Sequence, residues 1–96
     1  MPRFARKKDE THEKVADAFR QAGWSVIDTY RAPECPDFFA AHDGRTVAVE
    51  VKSKGGKLSE AQQQFRDTWP GEYYVVTDPK AVAQIILTPV RQKAVR

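Results

Sequence analysis

The dipeptide Asp43-Gly44 limits the fold of this chain more than any other feature of the sequence. It lies between two runs that read as strands, Asp37 to Ala41 and Arg45 to Lys52, in the stretch His42-Asp43-Gly44-Arg45. Asp-Gly at such a junction favours a tight hairpin, because both central positions of the turn want φ > 0. As a two-residue loop it sets His42 opposite Arg45, so that paired residue numbers sum to 87. Asp37 then falls opposite Glu50 with Cβ atoms about 5 Å apart. By the same count Cys35 faces Lys52. Side chains alternate along a strand, which puts Glu50 and Lys52 on one face and Val47, Val49 and Val51 on the other.

The remaining elements follow from period and punctuation. Val15, Ala18, Phe19 and Ala22 keep helical spacing between Asp9 and Ala22, and Gly23 stops that helix. Trp24 to Tyr30 reads as a strand rich in β-branched and aromatic residues. Ser59 can cap a second helix from Glu60 to about Thr68, with Gln62 completing a capping box, and Pro70-Gly71 ends it. Tyr73 to Thr77 is a last strand. Asp78-Pro79 opens a third helix carrying Val82, Ile85 and Ile86. The expected fold is therefore α/β in the order α-β-β-β-α-β-α. A parallel crossover between residues 45 and 77 joins the hairpin in a mixed sheet flanked by helices. Trp24, Phe38, Tyr73 and Tyr74 read as core, Cys35 as a small packing residue, and Phe65 and Trp69 as packing on the sheet from the helical face they share with Gln62.

At 96 residues the chain allows one domain, expected over 9–87 between a flexible basic arm (1–8) and a basic tail (88–96). One cysteine rules out a disulfide framework, and with only His12 and His42 beside it a closed four-ligand zinc site is out of reach. No apolar run approaches the roughly 20 residues that span a bilayer, and no signal-peptide pattern precedes the first helix. The default expectation is a soluble cytoplasmic protein, bacterial or from a phage-infected cell, with no membrane partner. Sixteen Lys and Arg stand against thirteen Asp and Glu, a net charge of +3. Arg3, Arg6, Lys7 and Lys8 open the chain, Lys52, Lys54 and Lys57 cluster in the middle, and Arg91, Lys93 and Arg96 close it. Such clusters suit phosphate contacts, and equally suit solvated tails.

The chemistry concentrates at Asp37, Glu50 and Lys52. Two carboxylates placed opposite each other destabilise a strand pair unless a cation lies between them. Mg²⁺ takes one or two carboxylates and keeps several waters, which suits this pair. A lysine beside such an ion can orient or help deprotonate an attacking water, or neutralise charge on a phosphoryl group. For an isolated Asp and Glu-x-Lys, surface ion pairs are the plainer account. The register and the surrounding pattern favour a site.

Pro36-Asp37 followed by Glu50-Val51-Lys52 resembles the PD-(D/E)XK nuclease motif. Gly55-Gly56-Lys57-Leu58-Ser59 with Gln62 is similar to its VRR-NUC branch, as are Cys35-Pro36-Asp37-Phe38-Phe39 and Trp69-Pro70-Gly71 to its short phage and bacterial members. The resemblance covers about residues 9 to 87 and implies a restriction-endonuclease-like fold. It implies Mg²⁺ or Mn²⁺ held by Asp37, Glu50 and the Val51 carbonyl, with Lys52 catalytic and Gln62 supporting. The family usually has a Glu on the first helix, three residues before its first core apolar, where this chain has His12. His12 falls on the Val15/Phe19 side of the helix, while Glu13 points about 160° away. Either is a first-helix site residue in this reading.

The implied activity is a metal-dependent DNA endonuclease, structure-selective and similar to a Holliday-junction resolvase. Alternatives are a nicking or flap nuclease, an inactive nucleic-acid-binding protein with this fold, and a small metal-independent interaction protein. Lys54 and Lys57 in the glycine loop, with Arg6, Lys7 and Lys8, are the expected DNA contacts. Two symmetric incisions in branched DNA call for a homodimer, for which the apolar third helix (Val82, Ile85, Ile86, Leu87) offers a surface.

Overall fold

The computed structural model describes residues 10–88, and the expected arm with Arg6, Lys7 and Lys8, like the tail beyond Thr88, lies outside them. The first helix, α1, spans Glu10–Gln21 and buries His12, Val15, Ala16 and Phe19, an i, i+3, i+4, i+7 stripe that begins one turn earlier than the expected one. Ala22 is exposed beyond the helix. The Gly23 N–H donates to Arg20 O and the Trp24 N–H to Phe19 O, a Schellman closure that needs the left-handed backbone of Gly23 (φ 90°). That closure holds Trp24 to the helix end, so strand β1 is shorter than expected, Ser25–Asp28.

Strands β2 (Phe38–His42) and β3 (Arg45–Val51) form the expected hairpin. Asp43 and Gly44 both have positive φ, 54° and 83°. The observed pairs run from His42 with Arg45 to Phe38 with Val49, each summing to 87. Pairing stops there, one step short of Asp37 and Glu50. Helix α2 spans Glu60–Thr68, with Ser59 Oγ accepting from the Gln62 N–H (3.2 Å) and Gln62 Oε1 from the Ser59 N–H (2.8 Å). Strand β4, Glu72–Val76, runs parallel to β3. Helix α3, Ala81–Leu87, starts later than Pro79, because Asp78 and Pro79 close a preceding turn through their carbonyls.

The sheet order is β1-β2-β3-β4, with helices on both faces. On one face, α1 and α3 enclose Phe38, Ala40, Val47, Val49 and Val76 together with Val15, Phe19, Trp24, Val82 and Ile85. On the other, α2 lays Phe65 and Trp69 over Phe39, and Phe65 beside Tyr73, with ring centroids 5.6–6.3 Å apart. Val82 and Ile85 are thus committed to the chain's own core, and Leu87 (77% exposed) is the one large apolar side chain that α3 leaves exposed. The apolar surplus expected for a dimer interface is absent from the rest of that helix.

Arg45 closes the α1/α3 face at its far end. Its guanidinium donates to both Glu72 carboxylate oxygens (2.8 and 2.9 Å) and to the carbonyls of Ile85 (2.9 Å), Ile86 (3.2 Å) and Thr88 (3.2 Å). It also lies over the Trp24 ring, and the Tyr74 hydroxyl donates to Glu72. The Arg45 hydrogen bonds hold the Glu72 carboxyl below the usual range, against the opposing effect of burial.

Candidate functional site

The opposite end of the sheet gathers the polar residues. Asp28 ends β1, Asp37 precedes β2, and Glu50 and Val51 end β3 at the carboxyl end of the parallel pair. Open α/β sheets place their ligands beyond those carboxyl ends. Asp37 is 6% exposed and Glu50 2%, so two carboxylates are withdrawn from water within one short stretch of sheet. Burial of carboxylates is unfavourable unless partners or a cation offset it.

Each carboxylate has a bracing donor. The Val51 N–H, left beyond the last β2–β3 pair, donates to Asp37 Oδ2 at 2.8 Å. A side-chain acceptor thus takes the place of a ladder bond, which is why pairing ends one residue before Asp37. The Asp37 carbonyl accepts from the Thr29 N–H (2.9 Å) and the Pro36 carbonyl from the Thr29 hydroxyl (2.7 Å), which fixes the Pro36-Asp37 segment against the end of β1. On the α2 side, Gln62 Nε2 donates to Glu50 Oε2 at 3.1 Å. The capping box sets the Gln62 backbone at the start of the helix, and the side chain spans both interactions. Its oxygen accepts from Ser59 and its nitrogen donates to Glu50.

Lys52 is half-buried just past β3, with its N–H donating to the Val76 carbonyl (3.0 Å). Lys54 and Lys57 are exposed in the following loop. Cys35 does not face Lys52. The Cys35 N–H closes a turn onto Ala32 O (3.1 Å), which carries the residue off the strand path and leaves it exposed rather than packed.

The first-helix residues lie on the other face. His12 is 4% exposed, with its ring edge-on to Tyr30 and Phe38 and its Nε2 3.7 Å from Asp28 Oδ2. Phe38 and Asp28 are strand partners on the α1 side, whereas Glu50 meets Gln62 on the α2 side. Glu13 reaches back despite its angular position: one donor atom each of His12, Glu13 and Asp28 lies within 4.8 Å of the others. Asp28 was not anticipated from the sequence. Its place depends on where β1 ends, and Asp28 marks that end itself, its Oδ1 accepting from the Tyr30 N–H at 3.0 Å.

Tyr73, expected in the core, instead borders the site. Its hydroxyl is sealed from solvent with no partner at full hydrogen-bond geometry among the described residues. Burial first, and then the negative charge of Glu50, push its pKa up to about 12, with Arg66 pulling it down and Asp37 and a weak hydrogen-bonding contribution from Glu50 adding to the rise. The donor chemistry of the Asp37/Glu50 pair, hard carboxylate oxygens beside a buried hydroxyl, fits a hard divalent cation.

No family model and no curated protein matches this chain. Among solved structures, a chain described as a VRR_NUC domain is similar, with a TM-score of 0.69 and 21% sequence identity over 85% of this chain and 96% of that one. The likeness shows the fold: this chain has a VRR-NUC-like nuclease fold, in agreement with the α-β-β-β-α-β-α order and mixed sheet. No helix among the described residues is long and apolar enough to cross a membrane.

Proposed function

We propose that the chain is a divalent-cation-dependent endonuclease that hydrolyses DNA phosphodiesters, selecting its substrate by structure in the manner of a junction resolvase. The observation that carries this reading is the buried Asp37/Glu50 pair, braced by the Val51 N–H and Gln62, at the carboxyl end of the parallel strands of a nuclease fold. Asp37, Glu50 and the Val51 carbonyl would hold Mg²⁺ or Mn²⁺. When bound, such an ion supplies Lewis acidity toward a phosphoryl oxygen and makes water a stronger acid.

The chain's own groups do the rest. The Val51 N–H and Gln62 Nε2 fix the two carboxylates, so their orientation is set before substrate arrives. Lys52 neutralises charge that develops on the phosphoryl group, an interaction made in the transition state rather than in the ground state. Lys54 and Lys57 hold the flanking backbone through phosphate contacts that carry no sequence information.

Labelled duplex, flap, single-stranded and four-way-junction DNAs incubated with Mn²⁺ test the reading, with calorimetry of Mn²⁺ alone beside them. Asp37→Ala and Glu50→Ala should abolish cleavage and Mn²⁺ binding while DNA binding persists or tightens. Lys52→Ala should lose cleavage and keep Mn²⁺ binding. Wild-type cleavage in either carboxylate variant would sink the site. A second reading, a nucleic-acid-binding protein without catalysis, is selected by DNA binding with no cleavage of any substrate. Absence of both Mn²⁺ and DNA binding selects an interaction protein. Junction cutting by this mechanism requires a two-fold dimer, and a strict monomer by light scattering leaves nicking or flap cutting.

A further inference from the structure

Cross-strand neighbours set the surroundings of Tyr73. Ile27, Phe39, Ala48 and Tyr73 form one row across the α2 face, through the pairs Ile27 with Phe39, Phe39 with Ala48, and Ala48 with Tyr73. One step further along the strands, Glu50 pairs with Val75. Tyr73 therefore stands directly behind the carboxylate row. Its ring lies 5.7 Å from Phe65, which follows Gln62 by three residues on α2. The phenol is enclosed between the helix that braces Glu50 and the strand beside Glu50.

A buried tyrosine hydroxyl normally finds a hydrogen-bond partner, and an exception points to a group that completes the site. The Tyr73 hydroxyl has no partner at full hydrogen-bond geometry among the described residues, while the nearby Glu50 carboxylate acts on it by charge and by a weak hydrogen-bonding contribution, with the charge of Asp37 beyond. Tyr74, next in sequence and on the opposite face, shows the ordinary case, with its hydroxyl donating to Glu72 at 2.6 Å.

We propose that Tyr73 is a positioning residue of the Asp37/Glu50 site, whose hydroxyl donates to the Glu50 carboxylate once the site is loaded and, with Gln62, forms a two-donor brace. The inference rests on the nuclease reading and adds to it a residue outside the sequence motif. The hydroxyl keeps its proton and acts only through Glu50. Groups that orient ligating carboxylates affect metal affinity as well as turnover.

Tyr73→Phe tests this, with Tyr74→Phe as the contrasting variant. Both keep the ring, so folding is preserved. In Tyr73→Phe the affinity for Mn²⁺ alone, by calorimetry, should fall roughly tenfold. The melting temperature should hold or rise, because the buried hydroxyl that is removed makes no well-formed hydrogen bond, and kcat should fall while KM for DNA stays near wild type. Tyr74→Phe should show the reverse, a lower melting temperature with Mn²⁺ affinity unchanged. Wild-type Mn²⁺ affinity and kcat in Tyr73→Phe overturn the inference and leave the nuclease reading intact. A lowered melting temperature with unchanged Mn²⁺ affinity makes the hydroxyl structural and overturns it as well. A wild-type protein that neither binds Mn²⁺ nor cuts DNA overturns both.

Discussion

The two faces of the sheet are built to different standards. The α1/α3 face is dry: Val15, Phe19, Phe38, Val47 and Val49 lose all contact with solvent. The α2 face is only half closed. Its helix has no fully buried residue, Ile27 at its β1 edge is 66% exposed, and Glu50, held by Gln62, and the Tyr73 hydroxyl are buried on it. A sheet sealed on one side can carry buried carboxylates on the other, because the first side supplies the apolar burial that offsets them. One face holds the fold and the other holds the proposed site.

Matched truncations offer the most direct way to break this comparison. Phe38→Ala on the sealed face should lower stability by about 3–5 kcal/mol, enough to unfold a domain of this size under mild conditions. Phe65→Ala on the open face should lower it by only about 1 kcal/mol, since that ring is incompletely buried. Urea unfolding at equal protein concentration measures both. Equal losses would mean that α2 is as much a part of the core as α1.

An intermediate effect belongs to the polar end of the sealed face. Glu72→Gln weakens two charge-assisted hydrogen bonds to Arg45 and should cost about 1.5–3 kcal/mol near neutral pH. The sign with pH follows from the lowered folded-state pKa of Glu72. Its contribution is full above the unfolded value, near 4.5, and is lost as pH falls through the folded value. Thermal melts below pH 5 should therefore steepen in wild type relative to Glu72→Gln. Parallel acid profiles would show that the pair contributes nothing to stability.

The smallest stability effect is expected at the site itself. Glu50→Gln keeps the shape, removes a buried charge and should leave stability within about 1 kcal/mol of wild type or slightly above it. A large loss of stability would make Glu50 a structural residue, with the open face serving the fold as the sealed one does.

The hairpin was legible because a two-residue turn is a ruler: once Asp43 and Gly44 are assigned, every pair back to Phe38 and Val49 follows. The capping box carried α2 in the same way, since Ser59 and Gln62 identify the first turn by chemistry rather than by hydrophobic period. Other features depended on contacts between distant segments. A parallel pair has no turn to count from, so nothing in Glu72-Tyr73-Tyr74 showed which tyrosine would face the site and which would face Glu72. His12 was correctly placed on the buried stripe of α1, but its neighbour Asp28 depended on where β1 ends. Cys35 followed the register on paper and left it in space, because a turn through Ala32 intervenes.

The Arg45 guanidinium has a kinetic consequence. The hairpin that carries it can close through local contacts alone, yet its hydrogen-bond partners lie at Glu72 and at Ile85, Ile86 and Thr88, some 27 to 43 residues further along the chain. Until β4 and α3 have both docked the guanidinium lacks its full set of partners, so it is expected to act as a latch that closes late, after the folding barrier. A latch of that kind leaves the rate of folding alone and governs how long the folded chain stays shut.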